Sequence, residues 1–150
     1  NVARLVAPLE DPRLADFVAQ LDCVNAAAES SPGFVWRLRS DEGGVSSYVR
    51  AFDDDGMSVS LSVWESLAAV KQYVYREPSH ATVFRDRRRW MEPLGKASLA
   101  MWWVPAGERP TVADGIARLE LLWQVGATPA AFSFKAAFEP QLTSLPATHT

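Results

Sequence analysis

With 150 residues, 48% hydrophobic and 22% charged, the chain is long enough for one domain that buries its core without metal or disulfide. A net charge of −3 excludes a general nucleic-acid binder, because Asp86 and Glu92 offset the one candidate patch, Arg85 with Arg87-Arg88-Arg89. The single cysteine, Cys23, excludes an intrachain disulfide and points to a reducing, cytoplasmic setting, and no apolar run is long enough to span a membrane.

The start, Asn1-Val-Ala-Arg-Leu5, lacks the charged-then-apolar order of a signal peptide. It begins without Met inside a strand pattern, so native residues are expected to precede it. Asn1–Ala7 reads as a short strand stopped by Pro8. Asp11-Pro12 opens a helix in which Leu14, Phe17, Val18, Leu21 and Ala28 recur at helical spacing to about Glu29, before Ser31-Pro32-Gly33. Asn25 falls on its apolar face, where an amide needs either a backbone partner or a ligand. Cys23 is expected as a buried or half-buried filler.

Phe34–Arg39 predicts a second strand, Asp41–Gly44 a turn, Ser46–Phe52 a short strand, and Asp53–Gly56 a solvated turn. Met57–Trp64 then alternates Met57, Val59, Leu61 and Val63 with Ser58, Ser60, Ser62 and Trp64. One continuous strand would have an apolar face for helices and a hydroxylated face, closed by an indole, suited to a pocket.

Glu65-Ser66 opens a helix over Leu67–Arg76, with Tyr73 beside its inward residues. Glu77-Pro78-Ser79 breaks it, and Ser79 is expected to cap a helix from His80 to Met91. His80, Val83, Phe84, Arg87, Trp90 and Met91 share one face of that helix. Ser98–Val104 reads as a strand with Trp102 and Trp103 on opposite faces. Thr111 caps a helix over Val112–Gln124 that Gly126 stops, and Ala131–Phe134 is a last strand. The domain is expected over residues 1–138, with a loose tail from 139 to 150.

This order predicts an α+β fold, a ferredoxin-like antiparallel sheet with helices on one face. The bare face would hold Ser60, Ser62, Trp64 and one of Trp102 and Trp103. Such a face is too apolar for water, so a sheet-to-sheet homodimer is expected. His80 and the tail residue His149 are the only histidines, too few for a zinc site. A neutral imidazole at a helix start can take a proton, polarise a carbonyl or bind iron; a capping or core histidine is the plainer alternative. Arg87, two turns on, needs either an internal carboxylate or a ligand oxyanion. Tyr73 can donate to an oxyanion or simply pack.

The strings Ser31-Pro-Gly-Phe-Val-Trp-Arg-Leu38, Leu61-Ser-Val-Trp-Glu-Ser66, Tyr75-Arg76 with His80 and Arg87-Arg-Arg-Trp90, and Trp102-Trp-Val-Pro-Ala-Gly107 with Arg109-Pro-Thr111 resemble a bacterial family of domains of unknown function, family 3291. The resemblance covers about Asn1 to Phe138. That family looks like a branch of the dimeric α/β-barrel superfamily, beside the antibiotic-biosynthesis monooxygenases. The resemblance implies a homodimeric enzyme of specialised metabolism that oxygenates an apolar aromatic or polyketide-like substrate without a cofactor. The residues suited to that role are His80, Arg87 and Tyr73 as catalytic groups. Trp64, Ser60, Ser62, Asn25, Phe84, Trp102 and Trp103 suit the substrate walls. Alternatives are a cyclase or isomerase in the same pocket, a non-catalytic barrel that holds a hydrophobic ligand, or a haem protein. Haem would use His80, walls of Trp64 and Phe84, and Arg87 or Arg88 at a propionate; cofactor-free action is preferred.

Overall fold

The computed structural model describes residues 1–39, 49–51 and 54–141. The expected turn at 41–44, most of the expected strand at 46–52, and His149 lie outside these residues.

The first strand, β1 (Val2–Leu5), leads to Asp11, whose carboxylate accepts from the Arg13 N–H at 2.9 Å. That starts a 3-10 turn, Pro12–Leu14, which runs into α1 (Ala15–Ser30). Cys23 is exposed on α1, not buried as a filler. The next strands are β2 (Phe34–Arg37), β3 (Val49–Ala51), β4 (Asp54–Val59) and β5 (Ser62–Trp64). Then come α2 (Leu67–Arg76), α3 (Pro78–Asp86), a 3-10 turn at Arg87–Arg89, β6 (Met91–Glu92) and α4 (Val112–Val125).

Four strands form one antiparallel sheet in the order β3-β4-β1-β6, which is the ferredoxin-like order within an α+β fold. A two-stranded sheet, β2 with β5, pairs Phe34 with Trp64 and Arg37 with Ser62. The stretch from Met57 to Trp64 is therefore two strands, not one. Its partner changes in the middle: the Ser60 N–H donates to the Asn1 carbonyl at 2.9 Å, whereas the Leu61 carbonyl accepts from the Leu38 N–H at 2.9 Å. Alternation assumes one unbroken pleat, and this switch breaks it.

Ser98–Val104 is not a regular strand either. Met91–Glu92 takes the edge of β1 at Arg4 and Leu5, Pro93 interrupts, and Ser98 returns one bond, from the Val2 N–H at 2.8 Å. Met101 then exchanges both backbone bonds with Phe132, and the expected strand at Ala131–Phe134 is reduced to isolated bridges.

Paired residues on adjacent strands share a face, so Val2, Met57 and Val59 lie on one side and Leu5 and Met91 on the other. The Leu5 side packs Leu14, Phe17 and a fully buried Trp90, with Val83 and Leu21 from α3 and α1. On the Val2 side, Met57, Val59 and Ala100 pack under Leu119, with Ile116, Leu122 and Trp123 beside it. The sequence pattern places helices on one face; the structure adds α4 on the second. Thr111 and Asp114 form a capping box at its start, and Gly126, at φ 78°, ends it.

Candidate functional site

The junction of α2 and α3 builds the site. Ser66 caps α2 by accepting from the Ala69 N–H at 3.1 Å. A single residue, Glu77, separates the two helices, and Pro78 opens α3 as its first residue. The cap of α3 is Glu77, not Ser79. Its carboxylate accepts from the His80 N–H at 2.8 Å and from the Ser79 hydroxyl.

This places His80 in the first turn of α3 with its ring folded back towards α2. Nδ1 lies 2.9 Å from the Val74 carbonyl, one of the orphan acceptors in the last turn of α2. A carbonyl accepts only, so Nδ1 carries the proton in the neutral ring and Nε2 keeps its lone pair. Burial pushes the His80 pKa down, against the hydrogen bond to Val74 and the charge of Glu77. Desolvation, then, is the main cause that favours the neutral imidazole.

Around this ring the chain assembles a row of aromatics. Phe34 meets Trp64 edge-on at 5.4 Å between centroids, and Trp64 stacks on Tyr73 at 5.1 Å. Tyr73 lies 4.8 Å from His80, and His80 runs nearly parallel to Phe84 at 6.4 Å. The Arg87 guanidinium sits 4.1 Å above the Phe84 ring and donates from Nη1 to the Phe84 carbonyl at 2.6 Å. Two nearby arginines are paired, Arg85 with Asp86 at 3.1 Å and Arg89 with Asp16 at 2.9 Å. Among the described residues no carboxylate pairs with Arg87. The internal acid partner that the sequence offers as one alternative is not found among the described residues.

Tyr73 is the buried middle of the row. Its hydroxyl donates to the Val24 carbonyl of α1 at 3.1 Å, and burial, with the charge of Glu77, raises its pKa against the pull of Arg37. That hydroxyl is committed to backbone, so Tyr73 is a wall and a spacer here rather than an oxyanion donor. The Trp64 indole N–H is likewise spent, on the Ser62 hydroxyl at 2.9 Å.

Six of the predicted residues, Ser62, Trp64, Tyr73, His80, Phe84 and Arg87, are thus brought together. Asn25 is half-buried on α1, next to the carbonyl that holds Tyr73. Ser60 and Trp102 are elsewhere, lining a cavity of about 20 Å³ beside Gly115 and Leu119 at the start of α4. Trp102 also lies under Arg118, and Trp103 donates its indole N–H to the Phe138 carbonyl at 2.7 Å. Phe34 and Glu77 are the residues that sequence reasoning missed. The Glu77-Pro78 step, a cap followed by Pro at the first helical position, was the available signal for Glu77.

The chain matches the family described as Domain of unknown function (DUF3291) over residues 1–148. It belongs to that family. The match spans the whole aromatic row of this DUF3291 chain. No curated protein and no solved structure matches it. Among the described residues, no three His, Cys, Asp or Glu side chains gather as a metal site, and no helix is long and apolar enough to cross a membrane.

Proposed function

We propose that this DUF3291 chain is a small, cofactor-independent enzyme of specialised metabolism, a monooxygenase of the dimeric α/β-barrel kind, acting on an apolar aromatic or polyketide-like substrate. The observation that carries the proposal is His80: a half-buried, neutral imidazole with Nδ1 bound to Val74 and Nε2 left as the proton acceptor. Aromatic rings flank it, and the Arg87 guanidinium, which no carboxylate among the described residues pairs with, lies beyond Phe84.

In this mechanism Nε2 takes a proton from an acidic C–H or O–H of an anthrone or quinol. Arg87 holds the resulting oxyanion. The electron-rich anion reacts with dioxygen to form a C–O bond, and cleavage of the O–O bond releases water and leaves the oxidised carbonyl product. Oxygen consumption against a panel of anthrones and quinols is the test. His80→Gln is expected to cut turnover by about 10²–10⁴-fold, the usual worth of a general base. Turnover that survives His80→Ala combined with Arg87→Ala refutes these roles. Cyclisation or isomerisation would use the same proton transfer, and product analysis separates it from oxygenation.

One observation favours a second reading. The Phe84 end of the row is open, its ring residue 46% exposed, whereas a reactive anion is best shielded from water. Binding without conversion suits an open row. Native mass spectrometry of freshly purified protein would then show a retained apolar ligand, and His80→Gln would leave its binding unchanged. For the enzymatic reading a second copy of the chain is proposed as the cover, in a cytoplasmic homodimer; a stable monomer at micromolar concentration refutes that part. Protein expressed with ample haem precursor is expected to stay colourless, and a Soret band would overturn cofactor-free action.

A further inference from the structure

We infer that Glu77 is a positioning residue that orients His80 and sets how readily its ring takes a proton. The inference rests on the reading of His80 as a base, but its test needs no substrate.

Glu77 closes α2 through its own N–H, which donates to the Tyr73 carbonyl at 3.2 Å. Its carboxylate then reaches forward to the His80 N–H at 2.8 Å and takes the Ser79 hydroxyl. His80 is therefore fixed from both ends, its backbone by Glu77 and its ring by Val74. Capping alone does not call for glutamate, since Ser, Thr, Asp and Asn are the preferred caps. A glutamate here brings a full negative charge beside a half-buried imidazole.

Among the described residues, the rings in contact with it are Tyr73 from α2, bound to Val24, and Phe84 from α3, with Arg87 beyond it, and the charge of Arg37 from β2 acts on Tyr73. On α1, which packs against α3, Asp16 is taken by Arg89. For Glu77 itself, burial pushes the carboxyl pKa up, but hydrogen bonds from Ser79 and His80 outweigh it and hold the group below the usual range. The carboxylate therefore stays ionised where the imidazole titrates, and its charge favours the imidazolium against the desolvation that opposes it.

The test is an NMR titration of the imidazole in the full chain carrying His149→Ala, which leaves His80 as the sole histidine. Glu77→Gln keeps an acceptor oxygen and removes the charge, so the His80 midpoint is expected to move to lower pH. Glu77→Asp, which keeps the charge, is expected to restore it. Glu77→Ser supplies a favoured cap without charge and is the second neutral variant should the glutamine protein fold poorly. If both neutral variants melt lower but titrate as the parent does, Glu77 is a cap only and the inference is overturned. Loss of oxygenase activity in His80→Gln is read separately, so failure of the base assignment and failure of this inference are distinguishable.

Discussion

His80 ties two helices together with one ring nitrogen and exposes chemistry with the other, and the pH dependence of stability should show it. Burial lowers its pKa in the fold below the ~6.5 of a free imidazole. The unfolded chain therefore binds this proton at higher pH than the folded one. The stability that His80 contributes is fully present above about pH 6.5 and is lost as pH falls through the window below it. Melting temperature is expected to drop on acidification from about pH 7 to 5, less steeply in His80→Gln; equal slopes would show that the ring does not titrate as described. The sequence shows the face shared by His80, Phe84 and Arg87, because all three lie within one helical stretch. It does not show Tyr73 against His80, since Glu77 separates their helices and only the packing of α2 on α3 joins them. Gly33 is a similar case. It reads as a helix stop, but its φ of 78° and the position of an added Cβ, 2.6 Å from the Ala69 Cβ, make it the point where the chain entering β2 presses on α2. Gly33→Ala is expected to cost about 1–3 kcal/mol in urea unfolding, from backbone strain and the clash together.

At the scale of the element, three of the helix starts were legible because their chemistry is local, whereas the helix expected from a Ser79 cap to Met91 is instead capped by Glu77 and ends at Asp86. Asp11-Pro12, Ser66 and Thr111 each sit where a cap was expected, and each accepts a backbone N–H. Thr111→Ala removes half of a capping box and is expected to cost about 1 kcal/mol, read as a lower urea midpoint. Strands were less legible because their partners are distant. Nothing within Met57–Trp64 announces that Ser60 bonds to Asn1 and Leu61 to Leu38. That switch sends Ser60 to the cavity near α4 and Ser62 with Trp64 to the aromatic row, which divides the expected serine face between two places. The site survives the division because it is built chiefly on α2 and α3, with β5 supplying one indole.

At the scale of the whole molecule, one sheet serves two cores, and α4 decides the fate of the second. Without it, Val2, Met57, Val59 and Ala100 would form an apolar face of the kind that drives association. A second copy is expected from the sequence on the opposite face, that of Ser60, Ser62 and Trp64. The face of Met57 and Val59 is expected to carry helices, although hydrophobic pattern does not say which helix. In the structure α4 covers it through Leu119, which is buried at the centre of the contact. Leu119→Ala leaves a void between helix and sheet and is expected to destabilise the fold by about 2–5 kcal/mol. The loosened helix should also expose the face beneath it. Urea unfolding is expected to show the lower midpoint, and light scattering a mass that rises with concentration beyond that of the parent chain. A variant that is destabilised but has the parent's mass at every concentration would show that α4 stays seated, held by Ile116, Leu122 and Trp123 without Leu119.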